Sequence, residues 1–106
     1  MARVLVNMPK TAKQGEVIDI KVLISHPMES GQRHDDNGQI IPRKIINKFV
    51  CAWNGEEVFS ADFFPAIAAN PFLSFTAIAS ESGTVSMTWV DDAGLVQTQL
   101  VPITVT

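Results

Sequence analysis

Apolar and polar residues alternate along most of this chain with a period of two. In the stretch 16–25 the alternation puts four apolar side chains on one face, namely Ile18, Ile20, Val22 and Ile24. A period of two is typical of β-strands that bury one face, whereas helices show a period near 3.6. The pattern predicts seven strands, over residues 2–8, 16–25, 44–53, 57–59, 73–79, 85–89 and 96–106. Pro102 in the last of them indicates an edge or bulge position.

Turn-forming residues separate several of these predicted strands. Hairpins are predicted at three places, which are Asn54-Gly55, Ser82-Gly83 and the run from Asp91 to Gly94. Short strands with turn signals at regular intervals, and no helical period, favour an all-β fold. We therefore predict an immunoglobulin-like antiparallel β-sandwich of about seven strands, with an open barrel as the main alternative.

Length and composition favour one folded domain over residues 1–106. Hydrophobic residues make up 46% of the chain and charged residues 18%, which is apolar enough for a buried core and unlike a disordered chain. Cys51 is the only cysteine, so an intramolecular disulfide is excluded.

Charge and hydropathy exclude two classes of partner. The net charge is −3, and the eight Lys and Arg residues are spread along the chain with only Arg43 and Lys44 adjacent, so no basic stripe is expected to bind nucleic acid. No apolar run approaches the roughly 20 residues that cross a bilayer, so we expect no membrane partner.

Sequence motifs of common enzymes are missing. The chain has no nucleophile elbow, phosphate loop, paired zinc ligands or dinucleotide fingerprint. Cys51 lies on the predicted inward face of its strand with no His or Arg beside it, and burial raises the pKa of a thiol. We expect a packing role for Cys51, no enzyme activity and no cofactor, although an enzyme built on this thiol stays as a weak alternative.

The polar segment 26–42, with the sequence HPMESGQRHDDNGQIIP, is unusual in an otherwise apolar chain. A connection longer than about 12 to 15 residues is commonly functional or disordered. Its specific turn formers and the prolines at its ends favour an ordered, functional loop. Its His and Asp residues could bind a metal with nearby methionines, the candidates being His26, His34, Asp35, Asp36, Met8, Met28 and Met87. The simpler interpretation is that these are solvated loop residues and core methionines.

A second unusual segment is 60–71, SADFFPAIAANP, which is nearly free of charge although it separates two predicted strands. Its Phe63, Phe64 and Ile67 need a place in the fold. They either plug one open end of the sandwich or form an exposed apolar patch, and such patches mark interfaces. The sequence leaves both alternatives open.

Several motifs together resemble the SoxZ family. They are H-P-M-E-S-G-x-R-x-D-x-x-G-x-x-I-P from His26 to Pro42, then Ile46 and Phe49, A-N-P at 69–71, and S-G-x-x-x-x-x-W-x-D-x-x-G from Ser82 to Gly94. The similarity extends over essentially the whole chain.

The resemblance implies a non-catalytic role. SoxZ is the small β-sandwich subunit of the SoxYZ heterodimer, the sulfur carrier of thiosulfate oxidation. Its partner SoxY has a flexible Gly-rich C-terminal segment whose cysteine carries the sulfur intermediates, so Cys51 does not inherit that role. The implied partners are SoxY and, transiently, the Sox pathway enzymes. The implied location is the periplasm, reached with the export signal of SoxY, because the N-terminus MARVLVNMPK lacks the features of a secretory signal.

We expect the two unusual segments to form the partner interface. The candidate residues are Met28, Arg33, Asp35 and Ile40 in the loop, and Phe63, Phe64 and Ile67 in the apolar segment. A role in folding the loop is the alternative for the first four, and Arg33 could pair with Asp35 or Asp36. The competing function is a stand-alone periplasmic metal- or ligand-binding module that uses His26, His34 and the methionines.

Overall fold

The computed structural model describes residues 3–65 and 67–106, which form eight β-strands. These are β1 (Val4–Asn7), β2 (Thr11–Ala12), β3 (Val17–Ile24), β4 (Ile46–Trp53), β5 (Glu56–Asp62), β6 (Phe72–Ile78), β7 (Gly83–Asp91) and β8 (Val96–Val105). Among the described residues there is no helix that could cross a membrane.

The strands form two sheets. One has three strands in the order β1-β3-β6, and the other has five in the order β2-β8-β7-β4-β5. All neighbours are antiparallel except β2, which runs parallel to β8. The predicted all-β sandwich is confirmed, with eight strands instead of seven. The additional strand, Thr11–Ala12, has two residues, too few to show a period in the sequence. Ala2, predicted to begin the first strand, lies outside the described residues.

The core lies between the two sheets and uses the faces that the alternation predicts. From β3 come Ile18, Ile20, Val22 and Ile24, and from the five-stranded sheet come Phe49, Cys51, Trp53, Val85, Met87 and Trp89, all buried. Phe49 is central, since its ring lies 5.1 Å from Trp89 and 5.8 Å from Phe75, measured between centroids. Trp89 lies beside Phe49 in the same sheet, whereas Phe75 belongs to β6, so the contact with Phe75 connects the two layers.

Two of the three predicted hairpins are confirmed. Asn54-Gly55 joins β4 to β5, with φ of 52° and 85° at the two residues. This left-handed pair matches the twist of an antiparallel hairpin, which is why Asn-Gly is favoured there. The turn after Asp91 joins β7 to β8.

The hairpin predicted at Ser82-Gly83 is wrong, because this segment crosses from one sheet to the other. β6 pairs with β3, whereas β7 pairs with β4 and β8. The end of β6 is held in the three-stranded sheet by Ala79, whose N–H donates to the Glu16 carbonyl at 2.8 Å. The Ser82 hydroxyl instead contacts the backbone of Val105 in β8, accepting from its N–H at 2.7 Å. These opposite attachments separate the two strands.

Candidate functional site

Residues 27–44, which we call the arm, form an irregular hairpin between β3 and β4. Glu29 and Lys44 exchange two backbone hydrogen bonds of 2.9 and 2.8 Å at its base. Further out, the Ile41 N–H donates to the Arg33 carbonyl at 2.8 Å. The arm is therefore an ordered element, as its turn residues predict.

Asp35 shapes the tip of the arm. Its Oδ1 accepts hydrogen bonds from the backbone N–H groups of Asn37 at 2.9 Å and Gln39 at 3.0 Å. The Gly38 N–H donates to the Asp35 carbonyl at 3.0 Å, and Gly38 adopts φ of 76° to close the turn. Asp35 thus has a folding role in the arm, which was the alternative to a partner contact.

Arg33 forms an ion pair with Glu29, four residues earlier in the arm. Its Nε and one terminal nitrogen each donate to a Glu29 carboxylate oxygen at 2.9 Å, in the two-pronged geometry that suits guanidinium and carboxylate. The expected pairing with Asp35 or Asp36 is replaced by this one. The bond from Arg33 lowers the pKa of Glu29. Because 69% of the Arg33 side chain is exposed, it can still contact a partner.

Asp92 fastens the base of the arm to the sandwich. Its carboxylate accepts from Arg43 at 2.8 and 3.1 Å, from the Ile45 N–H at 3.2 Å and from the Asn47 amide at 3.1 Å. The Arg43 guanidinium, followed by the Asn47 and Ile45 bonds, holds the pKa of Asp92 well below its ordinary value of 3.8. The arm is therefore attached through the turn that follows β7.

We predict that Asp92→Asn lowers the free energy of unfolding by about 1 to 2 kcal/mol at neutral pH, since the charge-assisted bonds are lost. A carboxyl whose pKa is lowered by folding stabilises the protein above its unfolded pKa of 3.8, and this stabilisation is lost as the pH falls below that value. The difference between the two proteins should accordingly shrink in acid. Urea denaturation between pH 7 and pH 3 measures it.

The matched control is Asp36→Asn, which removes an exposed carboxylate at the tip of the arm. It should change the free energy of unfolding by less than about 0.5 kcal/mol. A gap between the parent chain and Asp92→Asn that stays constant as the pH falls contradicts the assignment to this carboxylate.

His26 joins the arm to the segment before β6. Its Nδ1 accepts from the Met28 N–H at 2.9 Å, which leaves the ring proton of the neutral form on Nε2. Its backbone N–H donates to Asn70 Oδ1 at 2.9 Å, and its carbonyl accepts from the Asn70 N–H at 2.7 Å. Burial lowers the pKa of His26, partly opposed by Asp91. His26 is thus a structural joint, and Asn70 is a partner that sequence analysis missed.

Met28 is the first of two candidate interface residues that the structure places in the core. It is buried, and its Sδ accepts from the Ile46 N–H at 3.2 Å. The φ of 52° at Met28 turns the chain so that this side chain points inward. Ile40, the other apolar candidate in this loop, is 62% exposed, so of these two residues only Ile40 offers a contact to a partner.

Phe63 is the second buried candidate, and its neighbours differ from it. The exposed fraction of Phe63 is 6%, against 64% for Phe64 and 39% for Ile67. Both sequence alternatives therefore hold in part, because Phe63 plugs the sandwich while the other two lie on the surface. Ala66, also in this segment, lies outside the described residues.

A cleft of about 420 Å³ opens between the end of β3 and the start of β8. Its polar lining includes His26, Lys44 and Asp91, and Leu95 and Val96 lie at the β8 side. The Asp91 Oδ1 already accepts from the Leu95 N–H at 2.9 Å, which fixes the turn at this rim. The cleft therefore adjoins the exposed beginning of β8.

The donors of the alternative metal site are not brought together. Within residues 3–65 and 67–106 no group of three or more His, Cys, Asp or Glu side chains could hold a metal ion. His34 is exposed on the arm, whereas Met87 is fully buried in the core. Cys51 is also buried, and burial raises its pKa from 9.0 to about 11.

Comparison with solved structures identifies the fold. Superoxide reductase (neelaredoxin) from Ignicoccus hospitalis matches with a TM-score of 0.77 and 16% identity, covering 99% of this chain and 82% of that one. The sulfur carrier protein SoxY from Chlorobium limicola f thiosulfatophilum matches with a TM-score of 0.68 and 14% identity, covering 97% and 78%. At these identities the likeness concerns the fold alone.

Comparison of the sequence identifies the family. No curated protein matches this chain. The family model described as "Sulphur oxidation protein SoxZ" matches residues 6–102, which is nearly the whole chain. The match includes the arm and β2 to β7 completely, and β1 and β8 in part. The chain therefore belongs to the SoxZ family of sulphur oxidation proteins.

Proposed function

We propose that this chain is the non-catalytic subunit of a SoxYZ sulfur-carrier heterodimer in thiosulfate oxidation. The observation that carries the proposal is the SoxZ family match over residues 6–102. The sulfur intermediates reside on a cysteine of SoxY, and this chain holds SoxY in a form that the pathway enzymes can engage.

The environment of Cys51 supports this division of labour. A sulfur carrier has to present a thiolate at its surface, because the thiolate is the nucleophilic form. Cys51 is fully buried in β4, and its pKa is raised to about 11 by that burial. The cargo consequently needs a cysteine on another chain, which is the role assigned to SoxY.

The exposed residues at the arm and at the segment after β5 form a contact surface in this proposal. Arg33, Ile40, Phe64 and Ile67 project from these loops and are exposed. Aromatic and Arg side chains, here Phe64 and Arg33, are enriched at protein interfaces. We propose that they contact SoxY or the pathway enzymes, and that the complex works in the periplasm after export with SoxY.

Co-expression of the untagged chain with a tagged SoxY from the same source tests the proposal. We expect the two to purify together as a stable one-to-one complex, measured by light scattering on a sizing column. An unrelated β-sandwich protein with the same tag serves as the control. Recovery of SoxY without this chain contradicts the proposal.

A further inference from the structure

One side of β8 is open over half of the strand. β7 pairs with β8 from Val96 to Ile103, whereas on the other side β2 reaches only Thr104 and Val105. The Thr104 N–H donates to the Lys10 carbonyl at 2.9 Å, away from β7. Because backbone groups alternate in direction along a strand, the even-numbered residues of β8 direct their N–H and C=O groups away from β7.

The open window covers Val96, Thr98 and Leu100. Their outward N–H and C=O groups have no hydrogen-bond partner among the described residues. The next even position is Pro102, which has no N–H to direct outward, so it closes the window and confirms the predicted edge position. The window is thus a row of unpaired backbone groups that can accept another strand.

The side chains at the window are uncharged and partly apolar, so contact with a protein strand would bury apolar surface that is now exposed to water. Val96 and Leu100 are 62% and 60% exposed, and the sequence from Leu95 to Thr106 contains no charged residue. Natural edge strands are usually protected by charges, by proline or by being short. The opposite edge of the same sheet follows that rule, because β5 carries Glu56, Glu57 and Asp62.

The sheet beside the window is uncharged as well. Across from the window residues, β7 presents Val90, Thr88 and Ser86 on the same face, paired with Val96, Thr98 and Leu100. In the three-stranded sheet, by contrast, the outer face carries Asp19 and Lys21. An added strand at β8 would therefore place neutral side chains beside neutral side chains, whereas a charged strand would lose hydration without an ion partner.

We propose that SoxY docks here by adding a neutral strand to the open window of β8, which extends the five-stranded sheet. This inference rests on the proposed function. SoxY shares the sandwich fold of this chain, so it has sheet edges of its own from which to offer a strand. Backbone hydrogen bonds supply affinity in this kind of strand addition, and alternate side chains supply specificity. The cleft lined by Leu95 and Val96 continues the window at one end.

Thr98→Pro is the sharpest test, because it removes one outward N–H to which no residue of 3–65 or 67–106 is hydrogen-bonded. The matched control is Thr76→Pro in β6, which is also an edge strand. The Pro71 carbonyl accepts from the Ile24 N–H at 3.3 Å, so odd-numbered residues there face β3 and Thr76 faces outward. We expect Thr98→Pro to weaken SoxY binding at least about tenfold and Thr76→Pro to leave it unchanged.

A second pair of variants keeps the test independent of proline. Leu100→Lys adds a charge to the window, and Ile78→Lys adds one at a position of similar exposure, 64%, at the end of β6. We expect only Leu100→Lys to weaken binding, again at least about tenfold. Thermal unfolding of all four variants establishes that they are folded.

Binding of both β8 variants with parental affinity overturns the inference, as does an equal loss for the β6 controls. A dimer of this chain alone that Thr98→Pro dissociates also overturns it, because the occupant is then a second copy. Failure of the parent chain to bind SoxY is a different result, which contradicts the proposed function itself.

Discussion

Replacing Phe49 with alanine is expected to lower the free energy of unfolding by about 3 to 5 kcal/mol. Phe49 is fully buried in β4, and its ring contacts those of Phe59, Phe75 and Trp89 at centroid distances of 6.2, 5.8 and 5.1 Å. The truncation removes apolar burial and leaves a cavity between the sheets, so both effects act in the same direction. Domains of this size are stable by only about 5 to 15 kcal/mol, and the loss is a large part of that.

Phe64→Ala is the matched control, since Phe64 is 64% exposed and removing its ring should change the stability by less than about 0.5 kcal/mol. Urea denaturation measures both variants. A reduced midpoint with an unchanged slope would show that Phe49→Ala alters stability and not the compactness of the unfolded chain. Equal effects of the two substitutions contradict the placement of Phe49 at the centre of the core.

Alkylation of Cys51 in the folded chain is expected to be at least about 100-fold slower than in the unfolded chain. Folding raises the pKa of the thiol from 9.0 to about 11, which alone reduces the thiolate fraction by about this factor below pH 9. The side chain is also fully buried, so the reagent reaches it only after the sandwich opens. Mass spectrometry after timed exposure to iodoacetamide measures the rate.

The unfolded chain in urea gives the reference rate for this experiment. Cys51→Ala provides the functional control, and we expect it to bind SoxY like the parent chain. Rapid labelling of the folded chain contradicts the packing role. It would also revive the weak alternative of an enzyme built on this thiol.

The fold could be predicted as far as strands and buried faces, because alternation depends only on local geometry. The buried positions Ile20, Phe49 and Met87 all follow from that alternation. Strand pairing could not be predicted at Ser82-Gly83, since a turn pair indicates where the chain bends and not which sheet it enters. There, hydrogen bonds to residues distant in sequence, such as that from Val105, decide the path.

The candidate site was predictable only in outline, because it depends on contacts between distant residues. Arg43 and Asp92 are 49 positions apart, so their pairing at the base of the arm leaves no pattern in the sequence. Met28 turns inward through a left-handed backbone conformation that is uncommon outside glycine. Phe63 and Phe64 are adjacent, and the way the chain leaves β5 decides which of them is buried.

The edge character of β8 was predicted at Pro102, but the length of its open part was not. Pro102 indicates an edge, and residues 95–106 lack charge. The sequence does not show which strands are neighbours in the sheet. It therefore could not indicate that β2 pairs only with the last part of β8, at Thr104 and Val105.

The mass of the intact complex tests the central claim most directly. The untagged chain would be purified with tagged SoxY from the same source, then weighed before and after turnover of thiosulfate by the pathway enzymes. We predict a one-to-one complex in which the added sulfur mass lies on SoxY alone. Absence of a complex, or added sulfur on Cys51 of this chain, would contradict the assignment of this protein as the non-catalytic subunit.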